Sequence, residues 1–494
     1  MLALAVTLPF LLLLLLTLVL RRPLWQGAAT AFALALVLWL RVPSVGAEAF
    51  AAPVVKALVV SCEVGLILVG AIAFLDYMHL TGTTGRIKEA LGRFTSGNAG
   101  LEALLLAWLF CGFLEGAAGF GAPAALVAPL LTSLGFPAVI AAVLPLIGDS
   151  AAVPFGAVGT PVRIGFDGLP AESAAHYGAG INVLAGLVAP LAIYALATLA
   201  GPNETRAGLG ARGLGLSVWA GLCFTVPAFA LVWIGPEFPS LGGSLAGLLL
   251  FCLTLAKLPR VDSPSGSPVA AIGKLVKAFA PYLLVCALLL VGKLLLGGVQ
   301  FSLAVSDREQ TVGAFQPGLM FLLAITLLAL RRRDKPAELV RMLAGAGKRL
   351  PRVWLAIFCM AALAQLVVQI GDPGEALAAL FAGDRAIVLL LVLAPIAGAV
   401  GSFIAGSATV SNLLFAPFLV QASVLAGADP GLVLGLQLAG AGAGNMVSLQ
   451  NLAAVQATVG LVDREREMLR HLWWPCAIYL ALAILMGLGI ARFL

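Results

Sequence analysis

Residues 112–123 read GFLEGAAGFGAP and interrupt an apolar stretch that extends from about residue 101 to about residue 135. About 20 apolar residues span a bilayer, so this longer stretch must break or turn back, and its glycines and Pro123 mark the place. Glu115 lies at the break. Because a carboxylate at membrane depth costs at least about 2.5 kcal/mol even on insertion scales, it should face a cavity lined by protein or water.

The glycines around Glu115 predict backbone amides that are free to hold a ligand. A helix that begins at such a break points its positive end at a small anion, so we expect Gly116, Gly119 and Gly121 to border a substrate. Small residues also let helices pack tightly, and a lone Glu can bridge two neighbouring helices. Packing explains the glycines but not the acid, and the sequence therefore favours a substrate or ion site.

The composition excludes a soluble globular protein, because 61% of the residues are hydrophobic and only 11% are charged. Lys and Arg lie in short clusters between apolar stretches, which indicates membrane orientation rather than nucleic-acid binding. The seven cysteines stand singly in apolar stretches and the three histidines are scattered, so we expect no disulfide framework, metal or cofactor. No phosphate-binding loop of a primary pump is present in the sequence.

The apolar stretches predict an all-α polytopic membrane protein with about 12 to 14 membrane segments in the bilayer. The first stretch, residues 2–20, ends at Arg21-Arg22, and the third, about 53–78, is followed by the basic residues of 83–93. Both basic clusters lie on the cytoplasmic side of the membrane if the N-terminus lies on the outer side. The cluster that begins at Arg331 is the strongest signal of this kind and predicts a cytoplasmic loop.

A second break follows in the first half, and the second half repeats the pattern. Residues 146–156 read LIGDSAAVPFG, where Asp149 and Ser150 predict a second wall for the cavity. Residues 401–412 read GSFIAGSATVSN and residues 440–451 read GAGAGNMVSLQN. Two pairs of interrupted segments at corresponding places predict a transporter of two repeats, which we expect to be inverted, with broken or re-entrant helices around a central site.

These patterns divide the chain into four parts. We expect N-terminal spans outside the repeat at 1–50, a first repeat at 51–260 with interruptions near 112–123 and 148–156, and connecting spans with the basic loop at 261–352. The second repeat is expected at 353–494, with interruptions near 401–412 and 440–451. Aligning Gly116 with Gly406 sets Glu115 opposite Ala405, so the two halves share glycines but not charge.

Five motifs stand out along the chain: FLEGAAGFGAP at 113–123, FGAVGTP at 155–161, IGPEFP at 234–239, GSATVSN at 406–412 and VGLV at 459–462 with Glu465. They resemble motifs of the L-lactate permease family of bacterial secondary transporters, and the first is the most specific match. The likeness extends from about residue 50 to the C-terminus. It implies import of lactate or glycolate with protons across the bacterial cytoplasmic membrane, and it leaves the oligomeric state open, a homodimer included.

On this interpretation the substrate carboxylate is held by helix N-termini and by the hydroxyls of Ser407, Thr409 and Ser411. Asn412, Asn445 and Gln450, with Asn451 beside them, are candidates to bind the substrate hydroxyl, and Ser150 completes the second wall. Glu115 and Asp149 are the candidates to carry the coupling proton, because removal from water favours the neutral form of a carboxyl group.

The chain departs from the family pattern at three places. The pattern has an acid where this chain has Ala408, Asn-Thr near Asp149-Ser150, and a Lys where this chain has Asn445. The charged side chains of the expected site therefore stand at different positions than in the family pattern. This leaves open another small organic anion, a carboxylate or a sulfonate, and coupling to sodium through exposed carbonyls, Asp149 and Ser150.

Two other classes fit the sequence less well. An uncoupled anion channel could also use a glycine-lined path, but interrupted segments with buried acids suit alternating access better. An enzyme is not expected, because no Ser/His, paired-Asp or H-E-x-x-H arrangement is present in the sequence.

Overall fold

The computed structural model describes residues 8–9, 11–13, 15–20, 22–40, 50–95, 97–119, 122–201, 209–257, 268–305, 308–369 and 386–493. The first predicted span, residues 2–20, therefore lies partly outside the described residues, and Gly121 lies outside them altogether.

The described chain is almost entirely helical. Its α-helices are α1 Leu24–Trp39, α2 Ala51–Leu80, α3 Thr83–Gly92, α4 Ala99–Ala117, α5 Ala122–Thr132, α6 Ala138–Asp149, α7 Gly156–Arg163, α8 Ala171–Ala185, α9 Val188–Ala200, α10 Ala211–Leu231, α11 Pro239–Lys257, α12 Pro268–Leu296, α13 Pro317–Arg332, α14 Pro336–Arg349, α15 Pro351–Gln369, α16 Ala386–Ala405, α17 Ala408–Ala426, α18 Pro430–Asn445, α19 Leu449–Thr458 and α20 Glu465–Ile490. Shorter helical turns are Leu15–Val19 and Val153–Phe155.

Ten helical segments in the described chain are long and apolar enough to cross a membrane, or up to twelve if two bent pairs are each one span. One of these pairs, α6 with Val153–Arg163, is bent by 56° at the second predicted break. The all-α polytopic fold predicted from the sequence is thus confirmed. The grouping of the helices into two inverted repeats stays a prediction.

A short β-hairpin between α12 and α13 was not predicted. Strands β1 Gln300–Val305 and β2 Arg308–Gly313 pair antiparallel, with Phe301 opposite Val312. The segment joins two apolar helices and is too short and too polar to be a span itself. Backbone pairing within the hairpin supplies the hydrogen bonds that a helix would otherwise provide.

The chain forms two compact units. The first consists of Met1–Tyr77, Leu284–Leu390 and Leu413–Pro430, and the second of Met78–Leu283, Leu391–Asn412 and Gly431–Leu494. Within the first unit, Gln316 Nε2 donates to Glu63 Oε1 at 2.8 Å and Tyr77 Oη donates to Asp334 Oδ2 at 2.6 Å. Glu63 is therefore engaged with a neighbouring segment, as expected of a carboxylate inside a helical bundle.

The second unit holds α4 deep in its interior. Residues Leu104–Phe110 of this helix are π-helical and all buried, and the helix resumes α-helical geometry from Cys111 to Ala117. The backbone of Gly148 on α6 lies against the carbonyl of Ala107 so closely that a side chain would not fit. Wide π-helical turns are frequent at functional sites, and this one directly precedes the turn that carries Glu115.

Candidate functional site

Four helix breaks in the second unit surround one small cavity. The breaks follow Ala117, Asp149, Ala405 and Asn445. The residues that line the cavity are Glu115, Gly119, Val153, Gly156, Ala157, Thr160, Pro161, Gly406, Ser407, Ala408, Thr409 and Asn445. Its free space is about 10 Å³, close to the minimum that one water molecule requires. The walls must separate before a molecule larger than water can enter.

The break after Asp149 includes an unusual left-handed turn. Ala157, Val158 and Gly159 have φ angles of 43°, 57° and 76°. A β-branched residue such as Val158 rarely adopts a positive φ, and strain of this kind clusters at functional sites. Gly159 lies so close to the carbonyl of Pro236 that a side chain would not fit. The IGPEFP stretch thus supports the turn from outside the cavity.

An ion pair ties the same two segments together. Arg163 Nε lies 3.2 Å from Glu237 Oε1, and both side chains are largely shielded from solvent. Arg163 thereby joins the end of α7 to the IGPEFP stretch.

Glu115 contributes the one acidic side chain of the cavity wall, counting the described residues. It is buried, and its Oε2 atom has no hydrogen-bond partner within the described chain. Its Oε1 atom lies directly against Gly156, where a Cβ atom would collide with the carboxyl group. A buried carboxylate oxygen without a partner is costly, so this position suits an acid that takes up a proton or a cation.

Asp149 lies behind this wall and interacts electrostatically with Glu115. The thiol of Cys111 donates to Asp149 Oδ1 at 2.8 Å, while Oδ2 is buried and has no partner among the residues that the structure describes. Cys111 precedes Glu115 by one helical turn on α4. Two buried carboxyl groups therefore lie near one another on adjacent helices.

The third break presents a helix N-terminus to the cavity. Helix α17 begins at Ala408, and Val410 N donates to the Ser407 hydroxyl at 3.5 Å. Thr409 Oγ1 donates to Thr160 Oγ1 at 3.1 Å, and both residues line the cavity. Hydroxyls beside the positive end of a helix are the groups that favour a small anion. Gly406, with φ 62°, supplies the left-handed turn that makes this entry possible.

The fourth break brings Asn445 to the cavity, and Asn451 positions it while Gln450 bonds to α16. Asn451 Nδ2 donates to Asn445 Oδ1 at 2.9 Å, and Gln450 Nε2 donates to the carbonyl of Ile404 at 3.2 Å. The break after α18 is therefore bonded to the break after α16. Ala408 and Asn445, two of the departures from the family pattern, both lie on the cavity wall.

Other candidate residues from the sequence lie in the framework of the cavity. Ser150 and Ser411 donate to the carbonyls of Ile147 and Gly398, both at 2.7 Å, and Asn412 Nδ2 donates to Pro161 at 2.9 Å. Gly116 packs against the backbone at Leu241. In this conformation these four residues hold the breaks in position rather than face the free space.

The sequence analysis missed several polar residues that support the unwound backbone. Asn182 Nδ2 donates to the carbonyl of Ala151 at 2.6 Å and accepts a hydrogen bond from Tyr479, while Ser240 donates to the carbonyl of Ala152. Thr160 and Cys111 were also missed. A lone Asn within an apolar stretch is a signal that could have identified Asn182, and Thr160 lies in the FGAVGTP motif itself.

Multiple apolar helices and a buried polar cavity between helix breaks define a multi-pass membrane transporter. A sequence profile described as L-lactate permease matches residues 2–297 and 312–494 of this chain. The chain therefore belongs to the L-lactate permease family.

Curated relatives agree with this assignment. An L-lactate permease of Bacillus subtilis is 26% identical over 82% of this chain and 81% of its own length. An L-lactate permease of Halalkalibacterium halodurans is 28% identical over 74% of both chains. The L-lactate permease of Escherichia coli K12 is 26% identical over 82% of this chain and 80% of its own.

Proposed function

We propose that this chain imports lactate, or a related 2-hydroxy monocarboxylate such as glycolate, together with protons across the bacterial cytoplasmic membrane. The names of the relatives support lactate as the substrate. The observation that carries the proposal is that a buried acid, Glu115, shares a cavity wall with the hydroxyls of Ser407 and Thr409. The N-terminus is proposed to lie outside, from the positions of the basic clusters.

The substrate carboxylate binds at the start of α17. There the amide groups of the first turn and the Ser407 and Thr409 hydroxyls donate to it, and the helix dipole adds a favourable field. Asn445 lies on the same cavity and offers an amide group to the 2-hydroxyl of the substrate. A site built to bind a hydroxyl discriminates against acids that lack one, because its own polar groups would be left unpaired.

The proton binds at Glu115. An anion entering the cavity beside an ionised Glu115 would be repelled in a medium of low dielectric, whereas a protonated Glu115 is neutral. Substrate and proton therefore favour each other's binding, which is the thermodynamic requirement for symport. Asp149, buried behind the same wall, is the second candidate to carry a proton.

The small size of the cavity means that access of the substrate requires a conformational change. With room for about one water molecule, the described conformation excludes substrate, and the breaks must separate on one side of the membrane to admit it. The hydrogen bonds of Thr409 to Thr160 and of Asn412 to Pro161 join the first-half wall to the second-half wall. These contacts are the ones that we expect to change as the site opens.

Sodium is the alternative coupling ion. The two buried carboxyl oxygens without partners within the described residues, Glu115 Oε2 and Asp149 Oδ2, would also suit a small cation with oxygen ligands. Purified protein in liposomes decides between the two ions. An inward proton gradient without sodium should drive lactate accumulation above the level of protein-free liposomes, and an inward sodium gradient at equal pH should not.

Protein-free liposomes are the necessary control, because undissociated lactic acid crosses lipid by itself under a pH gradient. Accumulation that depends on sodium alone would contradict proton coupling. Flux that only equilibrates lactate under either gradient would contradict coupled transport altogether. The same assay with glycolate, pyruvate and a short sulfonate as competitors would define the anion.

A further inference from the structure

A second and larger concavity in the second unit is unrelated to the transport cavity in its chemistry. This groove has a volume of about 710 Å³, within the range of pockets that bind small-molecule ligands. Its lining residues are Ile396, Ala399, Val400, Phe403, Gly444, Val447, Arg466, Leu469, Arg470, Trp473, Trp474, Cys476 and Leu480. They come from α16, α20, the end of α18 and the break after it, so the groove runs between two apolar helices.

The polar groups of the groove are two arginines. Arg466 and Arg470 are separated by one turn of α20, and both are exposed. Neither forms an ion pair with a carboxylate of the described chain, whereas the adjacent Arg464 is paired with Glu467. Two positive charges at the rim of an apolar groove, with no counter-charge among the described residues, are complementary to a ligand with an anionic head and an apolar body.

Two adjacent tryptophans follow the arginines along α20. Trp473 and Trp474 are 62% and 68% exposed, which is unusual for side chains of this size. Tryptophan is enriched where a membrane protein meets the headgroup level of the lipid, and arginines at the same level bind lipid phosphates. Beyond them the walls are aliphatic: Ile396 and Val400 are each 39% exposed.

We propose that this groove binds an anionic phospholipid, with its phosphate at Arg466 and Arg470 and an acyl chain along Ile396, Val400 and Leu480. The groove reaches Gly444, near the end of α18, and Val447, within the break that follows Asn445. The bound lipid thus contacts the backbone that carries one wall of the transport cavity. This inference does not depend on which anion or ion the protein transports.

Native mass spectrometry of the purified full-length protein tests the proposal. After delipidation, the protein is mixed with equal amounts of phosphatidylglycerol and phosphatidylcholine of matched acyl chains. We expect at least one phosphatidylglycerol to be retained in preference to phosphatidylcholine. The double variant Arg466→Gln/Arg470→Gln should lose that preference, and the control Arg331→Gln/Arg333→Gln, which removes two exposed arginines from the first unit, should keep it.

Fluorescence of the wild-type protein provides a measurement that needs no variant. In liposomes, phosphatidylglycerol with brominated chains should quench tryptophan emission more than phosphatidylcholine with the same brominated chains. Equal retention and equal quenching by the two lipids would overturn the proposal. Dimers that retain neither lipid would overturn it as well, because a second copy of the chain would then occupy the groove.

Discussion

The variant Glu115→Gln should abolish accumulation of lactate driven by a pH gradient, down to the level of protein-free liposomes, while exchange of external for internal lactate continues. Glutamine keeps the size and the hydrogen-bonding capacity of the neutral acid but does not take up or release a proton. Because the neutral form is the one that tolerates the substrate anion, binding and the substrate-loaded transition should survive. The substitution therefore removes only the coupling of substrate transport to proton transport.

The experiment compares two assays on the same proteoliposomes, net uptake under a pH gradient and counterflow with labelled lactate at equal pH. The matched control is Glu172→Gln, which neutralises an exposed acid on α8. The control should behave as wild type in both assays. Uphill uptake that survives in Glu115→Gln would remove this residue from the coupling role and would direct attention to Asp149.

The variant Gly156→Ala should impair both net uptake and exchange. The added methyl group would collide with the Glu115 carboxyl group, which lies directly against this glycine. Its backbone, at φ −64° and ψ 164°, is compatible with alanine, so we expect the effect to come from the steric clash and not from backbone strain. Forcing an extra methyl group into a packed interior costs about 1–3 kcal/mol, and here it also displaces the acid and narrows the cavity.

Gly215→Ala is the control for this substitution, because a Cβ atom at Gly215 meets only open space. It should transport as wild type, and thermal unfolding should show whether either variant is folded. A second substitution distinguishes a steric clash with Glu115 from a general loss of folded structure. Glu115→Asp shortens the acid by one methylene and should restore part of the exchange in the Gly156→Ala background. Wild-type transport by Gly156→Ala alone would contradict the close placement of Gly156 and Glu115.

The sequence predicted the fold class and the positions of the helix breaks that line the cavity because both depend on local rules. Apolar length defines a span, and glycine, proline and an isolated acid within it mark an interruption. The φ angle of Gly406 illustrates why such a break needs glycine. Nothing of comparable strength in the sequence marks the hairpin at 300–313, which is stabilised by pairing between its own strands.

Side-chain roles within the breaks were harder to predict. Ser411 and Thr409 are two residues apart in one motif, yet Thr409 faces the cavity and Ser411 donates to Gly398 of another helix. Which of them faces the substrate depends on the direction in which α17 begins, and that direction is fixed by tertiary contacts. The bond from Cys111 to Asp149 joins residues 38 positions apart, so no local pattern could reveal it.

The central claim is that the cavity between the four breaks is the substrate site, and equilibrium binding of labelled lactate to the purified protein tests it most directly. Thr409→Val removes a single hydroxyl from the cavity wall, whereas Thr326→Val removes one in the first unit that donates to the carbonyl of Leu322 in its own helix. Loss of a hydrogen bond to a charged group costs about 1.5–3 kcal/mol. Lactate affinity should therefore fall about tenfold to a hundredfold in Thr409→Val and stay unchanged in Thr326→Val. Wild-type affinity in a folded Thr409→Val protein would contradict the placement of the substrate in this cavity.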